Sequence, residues 1–271
     1  MSTYTPDIGQ AEEADGWATL SCRLDAGGAS AAAIGLVTLA NDAVIEPELR
    51  RFLPLPGVEV FSSRIAMARD LSPESLGAME EDLPRAVRLL LPDDHLDAIA
   101  FGCTSGSTVI GSDRIAGIIA SVRPGVAVTD PARASLAAFA ALGVGRPALV
   151  TPYPANVNRI VEGHLARHGL DVRARASFRQ ESDVTIGRID PEDIFEAGVA
   201  LGRLDVDSVF LSCTALRCSS VIERIEHAID KPVVSSNQAL AWHALRSAGN
   251  RSRVEGFGRL FRLQARGETR S

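Results

Sequence analysis

The chain contains two short stretches that resemble each other, and each is an apolar run that ends in Cys-Thr. The first is Ile99-Ala-Phe-Gly-Cys-Thr-Ser-Gly-Ser107 and the second is Val209-Phe-Leu-Ser-Cys-Thr-Ala-Leu-Arg217. Such runs are typical of strands buried in a parallel sheet, and α/β proteins bind ligands at the carboxyl ends of these strands. The pattern therefore predicts that Cys103 and Cys213 lie at equivalent ligand-binding edges.

Other landmarks recur at nearly the spacing of the two cysteines, which are 110 positions apart. Leu36-Val-Thr38 recurs after 113 positions as Leu149-Val-Thr151. Gly57-Val-Glu-Val60 recurs after 112 positions as Gly169-Leu-Asp-Val172. We interpret the chain as two homologous halves.

Each half alternates four expected strands with helical segments, which predicts an α/β fold with parallel sheets. We expect two pseudosymmetric Rossmann-like lobes, each a parallel four-stranded sheet flanked by helices, with the active site in the cleft between them. The expected strands are 33–39, 58–61, 98–102, 126–128, 148–151, 171–176, 208–212 and 233–235. Helix starts are expected at 72–75 and 190–193, where a capping residue precedes proline and acids in the first turn. The expected divisions are a polar, loosely attached extension (1–30), a first lobe (31–130 with 237–271) and a second lobe (131–236).

Composition excludes several classes of function. The net charge of −6 and the lack of a Lys/Arg cluster argue against nucleic acid as a partner. No apolar run reaches the roughly 18 residues that span a bilayer, and the first residues do not resemble a secretory signal, so we expect a cytoplasmic protein without a membrane partner. The cysteines and histidines lack zinc-site spacing, and no nucleotide-binding glycine motif is present, so neither a metal nor a cofactor is expected.

The local sequence gives Cys103 and Cys213 a chemical role. If each strand turns directly into a helix, the thiol lies at a helix N-terminus, which lowers its pKa toward neutrality. Thr104, Ser105 and Thr214 then supply donors for a carboxylate or an enediolate oxygen. The alternative is that both cysteines are small buried hydrophobes, but their duplication favours chemistry. For the two other cysteines, Cys22 and Cys218, we favour a structural role.

Four motifs carry a family resemblance: Gly102-Cys-Thr-Ser105, Thr151-Pro-Tyr153, Ser212-Cys-Thr214 and Ser236-Asn-Gln-Ala239. The set resembles the aspartate/glutamate racemase superfamily, in the branch that holds maleate cis-trans isomerases and arylmalonate decarboxylases. Within that branch the ending Lys231 to His243 is most similar to the ectoine utilisation proteins. The resemblance covers about residues 32 to 250.

This resemblance implies a cofactor-independent enzyme in which Cys103 and Cys213 are catalytic and face the substrate from opposite sides. In racemases of this type one thiolate removes a proton alpha to a carboxylate and the other thiol returns one to the opposite face. In maleate isomerases one cysteine adds to the double bond. Arylmalonate decarboxylases have glycine where Cys103 stands, so decarboxylation is the less favoured reaction.

The resemblance also implies a set of substrate-binding residues. Asn41 matches a carboxylate-binding asparagine, although the usual Ser-Ser-Asn is Leu39-Ala40-Asn41 here. Tyr153 matches a tyrosine whose hydroxyl donates to the substrate carboxylate; the alternative is a ring packed beside two prolines. Asn237 is either a substrate ligand or a residue that holds a loop by side-chain to backbone hydrogen bonds. Asp183 lies in a loop near the substrate and is not assigned a role. The predicted set is Asn41, Thr104, Ser105, Tyr153, Thr214, Ala215 and Asn237.

We therefore expect an isomerase or racemase that acts on a small carboxylated substrate, in the setting of ectoine or hydroxyectoine catabolism. Maleate cis-trans isomerisation is the second hypothesis, and an arylmalonate-type decarboxylase is a third. A non-catalytic ligand-binding protein with two lobes is the alternative from another class. The alanine-rich helices favour a homodimer or a higher homo-oligomer.

Overall fold

A computed structural model describes residues 8–12, 18–67 and 72–263 of the chain. Its strands are β1 (Ile8–Glu12), β2 (Ala18–Leu20), β3 (Ala32–Leu39), β4 (Val58–Ile65), β5 (Ala98–Phe101), β6 (Ala127–Thr129), β7 (Pro147–Thr151), β8 (Ala174–Ser177), β9 (Ser208–Leu211) and β10 (Val233–Ser235). Its helices are α1 (Ile45–Phe52), α2 (Pro73–Ala78), α3 (Leu83–Arg88), α4 (Thr104–Ile110), α5 (Ser112–Val122), α6 (Pro131–Leu142), α7 (Ala155–Arg167), α8 (Asp183–Ile186), α9 (Pro191–Gly202), α10 (Ile222–Ile229), α11 (Ser236–Ser247) and α12 (Arg259–Arg262).

Two four-stranded parallel sheets form the molecule, and their strand orders are equivalent. The first sheet runs β4-β3-β5-β6, and the second, taken from its own edge, runs β8-β7-β9-β10. In both, the first strand of the half lies between the second and the third, and every pair is parallel. The predicted fold class, two similar α/β lobes with parallel sheets and flanking helices, is confirmed.

Burial explains which strands the sequence predicts well. All eight residues of β3 are buried, as are all of β5 and β9, because helices cover both faces of these central strands. The edge strands β4 and β8 are partly exposed and polar, and their limits differ from the prediction. β4 continues to Ile65, and β8 begins only at Ala174.

The N-terminal segment, expected to be a loosely attached polar extension, contains secondary structure that the sequence did not predict. β1 and β2 pair antiparallel as a separate two-stranded sheet. Residues 20–28 that follow are exposed. The described part of this segment therefore lies outside the two parallel sheets.

A pair of aspartates shows the internal symmetry at the opposite ends of the sheets. Asp97 precedes β5, and its Oδ2 accepts the backbone N–H of Ala33 at 2.8 Å. Asp207 precedes β9 by the same interval, and its Oδ2 accepts the N–H groups of Gly145 and Arg146 at 2.8 and 2.7 Å. The two carboxylates are 110 positions apart, as the cysteines are. Each holds the backbone at the start of the first parallel strand of its half.

Helix starts follow the capping signals in the sequence. Ser72 and Ser75 form a reciprocal capping box at α2, with Pro73 in the first turn. Asp130 caps α6 and Asp190 caps α9, and each precedes a proline. The two helix starts predicted at 72–75 and 190–193 are therefore confirmed.

In each half, the helix that follows the last strand packs against the sheet of the other half. α11, which follows the second sheet, contacts α1, β5 and β6 of the first. α6, which follows the first sheet, contacts β10, and Phe139 on α6 lies edge-on to Phe210 on β9 with ring centroids 5.2 Å apart. α6 and α11 also pack on each other. These contacts support our proposed lobe limits, in which 237–271 joins the first lobe and 131–236 forms the second.

Candidate active site

Cys103 and Cys213 lie at the carboxyl ends of the two central strands β5 and β9, as the duplication predicts. Both side chains are buried, with 4% and 3% of their surface exposed. Thr214 Oγ1 donates to the carbonyl oxygen of Gly102 at 3.5 Å, which joins the two strand ends directly. The two cysteine turns, 102–106 and 212–215, therefore meet in one site between the lobes.

The thiol of Cys103 is held by donors from its own turn. Cys103 is the N-cap residue of α4, and its Sγ accepts the backbone N–H of Gly106 at 3.3 Å, with Ser105 Oγ at 3.7 Å. A Cβ at Gly106 would lie 3.1 Å from this sulfur and 3.0 Å from Met79 Cε. A glycine at 106 thus permits the close approach of the helix N-terminus to the thiol.

The thiol of Cys213 is held differently, and the prediction of a helix directly after β9 is wrong. Residues 214–221 form turns, and α10 begins only at Ile222. The Sγ atom accepts the N–H of Ala215 at 3.3 Å and is hydrogen-bonded to the Tyr153 hydroxyl, which comes from the end of β7. Tyr153 is 1% exposed. The predicted residue Tyr153 therefore contacts a catalytic candidate.

A buried carboxylate from the first lobe explains why the chain turns here. Glu48 of α1 accepts the N–H groups of Cys218 and Ser219 at 3.0 and 2.9 Å, and the Ser219 hydroxyl at 2.5 Å. These bonds satisfy donors that a helix from 214 onward would use internally. Cys218 is fully buried beside this carboxylate, while Cys22 is exposed.

Asn237 lies at the start of α11 and holds the same turn. Its Nδ2 donates to the carbonyl oxygen of Thr214 at 2.7 Å, and only 1% of the residue is exposed. This is the loop-holding role that the sequence left open for it. Its Oδ1 atom is buried and has no hydrogen-bond partner in the part of the chain that the structure describes, and the same holds for the hydroxyl groups of Thr104 and Ser212. The remaining predicted residues Ser105 and Ala215 are buried in the two cysteine turns.

Asn41 and Asp183 form a further wall of the site. Asn41 follows β3, and Asp183 is the first residue of the short helix α8 in the second lobe. Their side chains are hydrogen-bonded to each other. The negative charge of Asp183 raises the pKa values of Cys103, Cys213 and Tyr153, so one carboxyl group influences both thiols. The sequence alone indicates only a position in a loop near the substrate for this residue.

Electrostatics overturn the expectation of thiol pKa values near neutrality. Burial raises the pKa of Cys103 to about 12, and the Asp183 carboxylate adds to it; the Gly106 N–H and the Ser105 hydroxyl act in the opposite direction. Burial also raises the pKa of Cys213 well above its usual value, again with Asp183 adding. The donors at each turn do not outweigh burial. Both thiols are therefore neutral near pH 7.

Asp183 itself has a raised pKa of about 6. Burial is the main cause, and the negative charge of Asp42 adds to it, while the Asn41 hydrogen bond lowers it. Asp42 is 3% exposed, and its Oδ1 accepts the N–H groups of Val44 and Ile45 at 2.7 and 3.0 Å. The site thus combines two thiols, a phenol and a carboxyl group that titrates close to neutrality.

Enzymes of one family are similar to most of this chain. The model of the arylmalonate decarboxylase family matches residues 34–261. The chain belongs to this family. The arylmalonate decarboxylase of Bordetella bronchiseptica is 28% identical over 228 residues, which cover 80% of this chain and 95% of that enzyme. The maleate isomerase of Nocardia farcinica (strain IFM 10152) is 29% identical over 239 residues, which cover 84% and 95%. The predicted branch is confirmed.

Solved structures of arylmalonate decarboxylase family relatives share the fold. A structure of the Nocardia farcinica maleate cis-trans isomerase bound to TRIS matches with a TM-score of 0.79 and 27% identity, covering 85% of this chain and 98% of that one. A cysteine-to-serine mutant of that enzyme, with a covalently bound succinylcysteine intermediate, matches with a TM-score of 0.78 and 26% identity over the same shares. The relatives indicate that this family member is an isomerase enzyme.

Two features are absent from the residues that the structure describes. Among residues 8–12, 18–67 and 72–263, no group of three or more His, Cys, Asp and Glu side chains is placed to hold a metal ion. Within the same described ranges, no helix is both long enough and apolar enough to cross a bilayer.

Proposed function

We propose that the protein is a cofactor-independent isomerase or racemase that uses Cys103 and Cys213 on a small carboxylated substrate. The observation that carries this proposal is the arrangement of the two buried thiols, delivered from opposite lobes and joined through Thr214 and Gly102. Each thiol also has hydrogen-bond donors that lower its pKa, in opposition to the effect of burial. A protein that only binds its ligand needs no such pair.

The reaction that suits this pair is proton transfer alpha to the carboxylate. One cysteine, as thiolate, takes the proton and becomes a thiol, and the electron pair stays on the substrate as an enediolate. The other thiol gives its proton to the opposite face and becomes the thiolate. Atoms and charge balance without a further reactant, and the cycle needs one thiolate and one thiol at a time. Activity should therefore follow a bell-shaped pH profile, and a profile flat through the neutral range would contradict the pairing.

We place this activity in ectoine or hydroxyectoine catabolism, on the similarity of Lys231 to His243 to the ectoine utilisation proteins. A cytoplasmic location and a homodimeric or larger assembly are further proposals from the sequence. Multi-angle light scattering would measure the assembly directly, and a monomer at micromolar concentration would contradict it.

Maleate isomerisation is the second candidate. It is supported by the 29% identity with the Nocardia farcinica enzyme and by the bound succinylcysteine in its mutant structure. The Leu39-Ala40-Asn41 sequence in place of Ser-Ser-Asn weighs against it, because two hydroxyl donors for a second carboxylate are missing. A decarboxylase is less supported because a cysteine stands at 103.

The deciding experiment is exchange of the alpha proton in heavy water, followed by NMR. The substrates are ectoine, hydroxyectoine, aspartate, glutamate and maleate, with the wild type beside Cys103→Ser and Cys213→Ser. Exchange or isomerisation of one substrate, lost in both variants, would establish two-cysteine catalysis and its substrate class. If both variants keep full turnover, the catalytic assignment is wrong. If no substrate turns over although one binds, the binding-protein alternative gains.

A further inference from the structure

The charge inside the site is acidic throughout. The charged groups that act on both thiols are Asp183 first and Asp42 second, and both are carboxylates. Arg64 acts on Asp42, but its guanidinium is already engaged with the loop after β3: it donates to the carbonyl oxygens of Leu39 and Asp42 at 2.9 Å and pairs with Glu46. The described residues thus place unneutralised negative charge where a small carboxylate has to bind.

Two oxygen acceptors on this wall lack a donor. Asp183 Oδ2 and Asn41 Oδ1 are both shielded from solvent and have no hydrogen-bond partner among the described residues, although the two side chains are hydrogen-bonded to each other. A buried acceptor without a donor costs free energy, and a buried carboxylate more so. These two oxygens can accept N–H donors that the described residues do not supply.

The cysteine turns carry hydroxyl donors. Among the described residues, the buried hydroxyl groups of Thr104, beside Cys103, and of Ser212, beside Cys213, have no hydrogen-bond partner. A hydroxyl without an acceptor suits a carboxylate oxygen. The cysteine turns thus offer two hydroxyl donors and one acceptor, Asn237 Oδ1, whereas the unpartnered atoms of Asp183 and Asn41 are acceptors only.

We infer that Asp183 and Asn41 bind a protonated nitrogen group of the substrate, in place of the carboxylate that the family resemblance implies for Asn41. The substrate class is then a zwitterion with one carboxylate and an ammonium or amidinium group. This inference rests on the proposed function. N–H groups of such a cation would donate to Asp183 Oδ2 and Asn41 Oδ1 in charge-assisted hydrogen bonds. A second carboxylate at the same place would meet two acceptors and a negative charge.

The cation would also change the thiols. Asp183 raises the pKa of both cysteines through its negative charge. A bound ammonium or amidinium group neutralises that charge, which lowers both thiol pKa values. A zwitterion therefore prepares its own thiolate, while a dianion raises the pKa of the thiols further. Substrate choice and catalysis then depend on the same carboxyl group.

The test compares matched probes in calorimetric titrations at pH 7.5. Each pair has one zwitterion and one carboxylate of similar size that lacks the cationic nitrogen. The pairs are ectoine with cyclohexanecarboxylate, and 2-aminobutyrate with butyrate. Maleate serves as the dianion. The proteins are wild type, Asp183→Asn, which is nearly isosteric, and Glu181→Gln, which removes the same charge from an exposed neighbour.

The wild type should bind at least one zwitterion ten-fold or more tightly than its counterpart. Asp183→Asn should reduce that ratio at least ten-fold and strengthen maleate binding, while Glu181→Gln changes neither. Because the pKa of Asp183 is about 6, the wild-type preference should fall between pH 7.5 and pH 5 and that of Asp183→Asn should stay constant. Ratios near one in both pairs, no binding of either zwitterion, or a ratio unchanged in Asp183→Asn would overturn the inference.

The outcome is separable from that of the proposed function. Binding ratios do not depend on turnover, and they can be repeated in Cys103→Ser, which leaves Asp183 and Asn41 in place. If the alpha proton exchanges but zwitterions and their counterparts bind equally well, the inference is wrong and the proposed function stands. If zwitterions bind more tightly but no proton exchanges, the proposed function is wrong and the inference stands.

Discussion

The turns that carry Cys103 and Cys213 occupy equivalent ends of equivalent strands, yet different parts of the molecule support them. Cys103 takes its hydrogen bonds from Gly106 and Ser105, within three residues of itself, because α4 starts at once. Cys213 takes one from Ala215 and another from Tyr153, sixty positions away. The two halves therefore keep the thiols at equivalent positions, but the groups that hydrogen-bond to them differ.

The difference extends to how each turn is fixed. The Cys103 turn is the start of a helix and is stabilised by local backbone geometry. The Cys213 turn depends on Glu48 from α1 and Asn237 from α11, both distant in sequence. Two thiols of similar burial therefore differ in what controls them, and variants can separate local from long-range support.

The largest expected effect is loss of turnover in Cys103→Ser and Cys213→Ser. A misplaced or weak acid–base group costs about 100- to 10,000-fold in rate, because a hydroxyl is a far weaker acid than a thiol. Steady-state kcat/KM and alpha-proton exchange are measured for each variant, with the exposed Cys22→Ser as the control. Equal losses in both measurements indicate proton-transfer roles for both cysteines. Exchange that survives in only one variant would show that the chemistry is as asymmetric as the surroundings.

Asp183→Asn should raise stability at high pH. The folded pKa of about 6 exceeds the ordinary 3.8, so protonated Asp183 contributes stability that is complete below about pH 4 and lost as pH rises through 6. The difference corresponds to an upper bound of about 3 kcal/mol, reduced by partial solvent exposure. Urea unfolding should show the variant more stable at pH 8 and equal to wild type near pH 4.

Asp183 also tests whether one charge acts on both turns. In Asp183→Asn the alkylation rates of Cys103 and Cys213 at pH 8, followed by mass spectrometry, should both rise, because the same carboxylate raises both thiol pKa values. Acceleration at one cysteine alone would mean that the thiols do not share this group.

Glu48→Gln should destabilise the protein by about 2 kcal/mol, because an amide NH2 replaces one of the two oxygens that accept from Cys218, Ser219 N–H and the Ser219 hydroxyl. Chemical denaturation measures the loss, with the exposed Glu59→Gln as the control. A loss below about 0.5 kcal/mol would show that the Cys213 turn holds without this carboxylate, as the Cys103 turn does.

The same division between local and long-range causes decides what the sequence could predict. β5 and β9 are uninterrupted apolar runs, and the caps at Ser72 and Asp190 are local signals, so these elements were predicted. The edge strand β8 begins three residues later than expected because its polar alternation marks no clear start. The turns after Cys213 depend on Glu48, which lies 170 positions away and carries no local signal.

The site itself was predicted in its residues but not in its electrostatics. Cys103, Cys213 and Tyr153 follow from duplication and resemblance, and the structure brings them together. Helix N-termini do favour a thiolate, but burial and a carboxylate from the other lobe outweigh that effect, and neither is visible along the chain. Asp183 is the first residue of the short helix α8, and only the fold shows that its charge acts on both thiols.

The smallest expected effect is also the most specific. Tyr153→Phe removes a hydroxyl donor that lowers the pKa of Cys213, so the pKa of that thiol should rise by an amount worth about 1 kcal/mol, the usual net contribution of one hydrogen bond. Cys103 has no hydrogen bond to Tyr153 and should keep its reactivity, whereas Ser105→Ala should affect Cys103 alone and less, since that contact is 3.7 Å long. Alkylation of each cysteine as a function of pH measures both variants. If Tyr153→Phe slows the alkylation of both cysteines equally, the tyrosine acts on the whole site. The reactivity of Cys103 would then depend on Tyr153 as well as on the donors of its own turn.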